Sequence, residues 1–410
     1  MRAFDVYIGG VPAGTLVESD ESVTFRFKES YRHIANRPVL SQYFEDDLLR
    51  IYKGSKGRLP AFFANLIPEE GPLRTFLEVS LGVALRDDVG MLVAVGHDLP
   101  GSVVVAESDE VESLDATDVA ENGIAFSPEI EGLRFSLAGV QLKFSMLRTE
   151  ARLALPARDQ RGEWIVKFPS RRFSGLVQNE YAMMEWARAC GFDVPECAVE
   201  STDCLPETLR RLVPDSEKVF VIRRYDRKDG ARIHQEDFAQ VVGSYPEKKY
   251  ELSYEKCAIL VNAICGIEGY REFVGRLAFA IASGNGDAHL KNWSLLYPNG
   301  VSATLAPVYD QVCTVAWPEI NSEVVLKLAG SRAFGTLDEG SFSRLAAKTR
   351  AEADPKRTVA LANEVFHRAR TEWSSLAAAD SMLPEHRAAL REHWASVPLL
   401  RAQGRLEFKS

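Results

Sequence analysis

The stretch SGNGDAHLKNWSLLY, Ser283 to Tyr297, constrains this chain more than any other. It follows the apolar run REFVGRLAFAIA, which has helical spacing, and runs out into WSLLY, which reads as a strand. An ordinary turn between two such elements needs little beyond Asn-Gly. This one carries an Asp, a His, a Lys and a second Asn within six positions, Asp287 to Asn292. Side chains of that kind, set between a buried helix and a buried strand, must pair with each other or line a cleft.

The interval from Asp287 to Asn292 is five residues. Protein kinases use the same interval in their catalytic loop, where the Asp faces the acceptor hydroxyl and the Asn amide faces Mg²⁺. Eighteen residues after Asn292, Asp310 in PVYDQVCT falls at the expected end of a second strand. A carboxylate there would complete the oxygen shell of an Mg²⁺–ATP site.

Upstream, Lys167 sits mid-strand in WIVKFPS, and a buried ammonium needs a partner. The next helix, NEYAMME, offers Glu180. Before that, Ser136 to Lys143, SLAGVQLK, reads as a small-residue turn between strands that could fold over phosphates. The chain has no GxGxxG and no GxxxxGK[ST]. Each residue has a plainer reading. Asp287 and Asn292 would serve as an Asx-capped turn, Asp310 as a helix or turn cap, Lys167 as an edge-strand lysine reaching water, and Glu180 as a first-turn acid. Their shared order along the chain favours phosphoryl transfer.

The elements around these residues predict an α+β chain: a two-lobed, protein-kinase-like fold with a β-rich N-lobe, an all-helical C-lobe and an extra mixed α/β N-terminal subdomain. We expect boundaries at 1–108, 109–230 and 231–410. FDVYIGGVPAGTLV reads as a hairpin around a Gly-Pro turn, VTFRFKES and GSVVVAES as strands, and the segment between them as helix broken at Pro68 and Gly71. SDEVESLDATDVAENG is acidic and poor in apolar residues, which marks a linker. QNEYAMMEWARACG is a helix ending at Gly191, KVFVIRRYDR a strand, and the chain turns helical after Gln235.

Bulk properties exclude some classes. The net charge of −9 argues against a nucleic-acid coat. No apolar run approaches the roughly 20 residues of a membrane span, and MRAFDVYIGG lacks a secretory apolar core, so we expect a cytoplasmic protein with no membrane partner. None of the six cysteines forms CxxC and no histidine stands at ligand spacing beside them, so free thiols are expected. His386 and His393 share a predicted helix at a spacing that does not suit a metal pair.

At this point the motifs resemble the HipA-type serine/threonine kinases, toxin halves of bacterial toxin–antitoxin pairs. The resemblance runs along essentially the whole chain, through FFANLIPEEGPLR, SLAGVQLK, IVKFP, NEYAMMEWARACGFDVPE, RRYDR, RIHQEDFAQVVG, GNGDAHLKN and VYD. It implies Asp287 as catalytic base, and Asn292 and Asp310 as Mg²⁺ ligands. It implies ATP contacts from Lys167, from His289, Leu290 and Lys291, from Tyr309, and from the loop Ala138, Gly139, Val140, Gln141, Leu142 and Lys143. Arg223, Arg224 and Tyr225 would meet the adenine through backbone groups. Ser136 would be a self-inactivating autophosphorylation site, since a phosphate brings nearly two negative charges and would drive the loop from the ATP phosphates. The resemblance also implies a HipB-like helix-turn-helix antitoxin, operator DNA reached through it, and an aminoacyl-tRNA synthetase as substrate. Two positions depart from the family's habit: Arg223, where an acid is common, and Leu142, where an acid often precedes the lysine.

Two other readings are open at this stage. A small-molecule phosphotransferase shares the Asp–Asn spacing and the later metal Asp, but usually carries a His close before the Asp, where this chain has Asn285. A module that keeps the fold and only co-represses with its antitoxin would not need Asp287, Asn292 and Lys167 together.

Overall fold

The computed structural model describes residues 1–55, 57–108, 141–149, 152–155, 162–211, 213, 217–320 and 323–407. The acidic linker segment lies largely outside them, as do Ser136, Ala138, Gly139 and Val140.

The N-terminal unit is an antiparallel sheet of β1 (Arg2–Ile8), β2 (Val11–Glu18), β3 (Val23–Phe27), β4 (Tyr52–Lys53) and β5 (Val103–Glu107), in the order β4-β3-β2-β1-β5. Ile8 pairs with Val11, so the first turn is Gly9-Gly10 rather than one built around Pro12. Both glycines have positive φ, 56° and 82°, as the tight primed hairpin requires. One face of the sheet buries Val6, Ile8, Leu16 and Phe25, with the Phe25 ring 4.9 Å from that of Phe63. Three one-turn helices, α1 (Glu29–Arg32), α2 (Gln42–Glu45) and α3 (Ala61–Ala64), are followed by α4 (Pro72–Leu81) and α5 (Asp88–Ala94). The expected break between α3 and α4 is present, with Gly71 at φ 153° as the α4 N-cap.

A second antiparallel sheet, ordered β7-β6-β8-β10-β9, forms the next lobe from β6 (Lys143–Thr149), β7 (Arg152–Ala154), β8 (Trp164–Lys167), β9 (Cys197–Ser201) and β10 (Lys218–Arg223). The helix α6 (Leu176–Ala189) lies against it and stops at Gly191, which takes φ 87° just past the cap, as the sequence predicts. Phe76 of α4 packs edge-on against Phe144 of β6 at 5.4 Å, which joins the N-terminal unit to this lobe. After the short helix α7 (Glu207–Arg210) and β10, the small hairpin β11 (Arg227–Lys228) and β12 (Ala231–Arg232) leads onward.

The C-terminal lobe is dominated by α9 (Tyr254–Ala282), α10 (Glu339–Thr349), α11 (Pro355–Trp373), α12 (Pro384–Ser396) and the short α13 (Pro398–Arg401). It is not all-helical. Residues after Gln235 do not go straight into helix: β13 (His234–Asp237) comes first and α8 (Phe238–Val241) is a single turn capped by Asp237. Strand β13 pairs with β14 (Ser294–Tyr297), which pairs with β15 (Thr304–Leu305); β16 (Glu323–Leu328) and β17 (Ser331–Ala333) make a further hairpin. The reason is backbone hydrogen bonding. Leu295 and Tyr297 are buried, and a lone buried strand would leave its N–H and C=O groups unpaired. Within α9, Gly266 takes a non-helical conformation (φ 70°, ψ −169°), so the span is two helical stretches that meet at a kink, one on each side of that glycine.

No helix among the described residues is long and apolar enough to cross a membrane. The six cysteines are free. His386 and His393 are both buried, and no cluster of three potential ligands stands ready for a metal among the described residues.

Candidate active site

The cleft between the second sheet and the helical lobe encloses about 1530 Å³ and is lined by residues of all three regions. Its floor is the loop that follows α9. Gly284 turns the chain at φ 65°, and a Cβ on Gly286 would lie 2.4 Å from the Glu323 carbonyl oxygen, so both positions need glycine. Buried Asn285 holds the loop from inside: its Oδ1 accepts from Asp287 N at 2.9 Å and its Nδ2 donates to Gln311 Oε1 at 3.1 Å. Gly286 N donates to Thr314 Oγ1 at 2.7 Å.

Asp287 therefore stands on a pinned loop and opens to the cleft. Enclosure by the cleft walls and then the Asp310 carboxylate push its pKa up to about 6, while Lys249 pulls it down. Asn292 spends its Nδ2 on Asp287 O at 2.8 Å, which leaves its amide oxygen for a cation. His289 is buried and its Nδ1 has no partner among the described residues. Burial, reinforced by Lys249, lowers its pKa to about 4, so the ring is neutral at physiological pH.

On the opposite wall, Lys167 Nζ lies 2.5 Å from Glu180 Oε1 and also pairs with Asp310. Burial disfavours the Lys167 ammonium; the Asp310 and Glu180 carboxylates outweigh it and keep it charged. Asp310 stays ionised, because Lys167 and Lys143 overcome its burial. Glu180 shares Lys167 with Asp310, and there burial wins, raising its pKa to about 7.

Lys143 and Lys167 face each other directly across the β6–β8 pair, and both line the cleft. Like charges so placed repel. Only anions between them make the arrangement favourable. Asp310 is one, and a ligand phosphate suits the remaining space. The residues thus fit an Mg²⁺–nucleotide: three cleft lysines (Lys143, Lys167, Lys291), an aspartate, an asparagine oxygen and an unpartnered histidine nitrogen.

Several expected residues are placed differently. Asp310 does not end a strand: β15 stops at Leu305, Pro307 has no N–H to extend it, and Asp310 takes a left-handed φ of 57°. Leu290 and Leu142 are buried in hydrophobic cores. Gln141 lines the cleft but commits its Nε2 to Phe168 O at 2.8 Å. Arg223 is exposed at the cleft edge. The Arg224 guanidinium is buried and bound to Asp98, Asp226 and Ser145. Tyr225 and Tyr309 lie ring to ring at 5.6 Å, and Tyr309 hydroxyl donates to Lys291 O at 2.9 Å.

Among the cleft residues that sequence reasoning missed are Asn65 and Glu69 from the N-terminal unit, Asp237 at the α8 cap, and Lys249. The segment NLIPEE was noted in the sequence, but nothing local ties its acid to a lysine 180 positions on.

Two lobes around one cleft, with Asp287 on a pinned loop and Lys167 bridging Glu180 and Asp310, define a protein-kinase-like fold carrying an additional N-terminal domain. Comparison with known proteins agrees. Residues 4–106 match the HipA N-terminal domain and residues 135–373 the HipA-like C-terminal domain. The chain belongs to the HipA family. It is 36% identical over 391 residues to Y4dM of Sinorhizobium fredii, provisionally designated a kinase, covering 92% of each chain. It is 31% identical over 376 residues to Y4mE of the same organism, with the same designation, covering 84% of this chain and 85% of that one. Its fold is similar to the Shewanella oneidensis HipA solved with HipB and operator DNA, at TM-score 0.71 and 17% identity, over 98% of this chain and 96% of that one.

Proposed function

We propose that the chain is an ATP- and Mg²⁺-dependent serine/threonine protein kinase, the toxin of a toxin–antitoxin pair. The observation that carries this reading is the convergence of Asp287, Asn292, Asp310 and the Lys167–Glu180 pair on one cleft. Asp287 accepts the proton of the acceptor hydroxyl, a task suited to a carboxylate with a raised pKa. Lys167, held by Glu180, and Lys143 and Lys291 around it bind the phosphates. His289 offers its free ring nitrogen to the nucleotide. Asn292 and Asp310 would hold Mg²⁺, which would supply charge neutralisation at the transferring phosphoryl group. Tyr225 and the chain beside it receive the adenine.

Ser136, just before the phosphate loop, is the self-modification site in this reading. Its phosphorylation would place negative charge where the ATP phosphates belong. The Shewanella complex contains HipB and operator DNA; it supports a HipB-like helix-turn-helix antitoxin as partner, with DNA reached through it. The proposed substrate is a translation protein, an aminoacyl-tRNA synthetase by resemblance, acted on in the cytoplasm.

The test is intact-mass and peptide mapping of the purified chain after incubation with Mg²⁺-ATP, beside Asp287→Ala. One phosphate at Ser136, absent in the variant, is expected. No phosphate together with no heat of ATP binding would leave a co-repressor. Transfer to small hydroxylated acceptors but not to protein would make it a small-molecule phosphotransferase.

A further inference from the structure

The N-terminal domain reaches Lys291 of the loop after α9 through two residues, Asn65 and Glu69. Glu69 lies 2.9 Å from Lys249 Nζ and 3.6 Å from Lys291 Nζ. Lys291 also donates to Asn65 O and Oδ1, both at 3.3 Å. Asn65 is itself buried and anchored, its Nδ2 donating to Ala61 O at 2.9 Å and Ser244 O at 2.8 Å. Both residues holding the Lys291 ammonium therefore come from a segment more than 200 positions earlier in the chain.

Lys291 needs such holding. It is a flexible cation that shares one cleft with Lys143 and Lys167, and repulsion from them would turn it outward. Its backbone is set by the catalytic loop, where Tyr309 binds its carbonyl, but that does not direct the ammonium. Lys249, which also lines the cleft, pairs with Glu69 and lies over the Tyr250 ring at 5.3 Å, so Glu69 is held beside Lys291.

We propose that Glu69 is a positioning residue for phosphoryl transfer: together with Asn65 it holds the Lys291 ammonium at the phosphate end of the cleft, so that the N-terminal domain completes the catalytic loop. This rests on the kinase reading above. The alternative role, a plain ion pair between domains, contributes little stability, because the Glu69 side chain is 38% exposed.

The experiment measures single-turnover self-phosphorylation of the full chain against Mg²⁺-ATP concentration, for wild type, Glu69→Gln, Lys291→Met and the double variant. Glu69→Gln is expected to lower the maximal rate about tenfold and to change half-saturating ATP less than about twofold. Its melting temperature should stay within about 2 °C of wild type. The double variant should be no slower than Lys291→Met alone, because Glu69 acts through that lysine. A Glu69→Gln rate equal to wild type, or multiplicative losses in the double variant, overturns the proposal while the kinase stands. A wild-type chain that neither takes up phosphate nor binds Mg²⁺-ATP overturns the kinase reading itself, before any variant is compared.

Discussion

Asp98 of the N-terminal domain and Arg224 just past β10 form a half-buried ion pair, with Asp98 Oδ1 3.1 Å from Arg224 Nη1. The same oxygen lies 2.9 Å from Arg227 Nη2, and Ser145 of β6 donates to the other oxygen at 2.7 Å. Asp226 completes the cluster, 2.9 Å from Arg224 and 2.7 Å from Arg227, and accepts from Gly101 N at 2.8 Å. The strand end that would receive adenine is thus bolted to the N-terminal loop His97–Ser102.

Asp98→Ala leaves two buried guanidiniums sharing Asp226. Removing one partner of a buried charge cluster costs about 2–4 kcal/mol. We expect a melting temperature several degrees lower, measured by calorimetry, and weaker ATP binding, because the residues that would meet the adenine are no longer held. Unchanged ATP affinity in a destabilised variant would show that the bolt supports the fold and leaves the nucleotide site alone.

Lys167→Met strands Glu180, whose side chain is 1% exposed, and leaves Asp310 without its nearest cation. The variant should lose transfer activity by at least about a hundredfold and unfold about 3 kcal/mol more easily. Lys167→Met with Glu180→Gln should recover much of the stability and none of the activity. Equal denaturation midpoints for the single and double variants would contradict the pairing.

Asp287→Asn should abolish transfer without lowering stability. The Asp287 pKa is raised to about 6 from the ordinary carboxylate value, so its ionised form is less favourable in the fold than in the unfolded chain. At pH 7.5 the variant should melt at or above the wild-type temperature. If Asp287 is the base proposed above, the wild-type transfer rate should fall as pH drops below about 6, where its carboxylate takes up a proton.

Glu236 tests the seam between the N-terminal domain and β13. It is buried and accepts from Ser41 Oγ at 2.5 Å, from Gln42 N at 3.0 Å and from the Tyr297 hydroxyl. Burial outweighs these bonds and raises its pKa to about 7. A raised carboxyl pKa stabilises the fold most below the ordinary carboxylate value, and that contribution is lost as pH rises through about 7. Wild-type stability should therefore decline by on the order of 1–3 kcal/mol between pH 4.5 and 7, relative to Glu236→Gln, in urea titrations. Parallel pH curves for the two proteins would refute this assignment.

What the sequence by itself determined is the local chemistry. Asp287 and Asn292 stand out because five residues set their separation whatever surrounds them, and Gly284 and Gly286 mark a turn that only glycine makes. The cap at Gly191 and the first two strands were legible for the same reason: propensity and period act over a few residues. Lys167 in an apolar strand asked for a partner, and the helix that follows supplied Glu180. Tertiary structure decided the rest. Asp310 reaches Lys167 from a left-handed loop residue and not from a strand, since Pro307 cannot extend the ladder and packing alone brings residue 310 to 167. Leu142 and Leu290 belong to loops that line the cleft, yet their side chains turn into cores, a choice made by what lies behind the loop. Glu69, Asp98 and Ser41 meet Lys291, Arg224 and Glu236 across more than a hundred residues of chain. No spacing rule links such positions. Their pairing exists only because units built around separate apolar cores pack side by side, and the charges at the seams must then find one another.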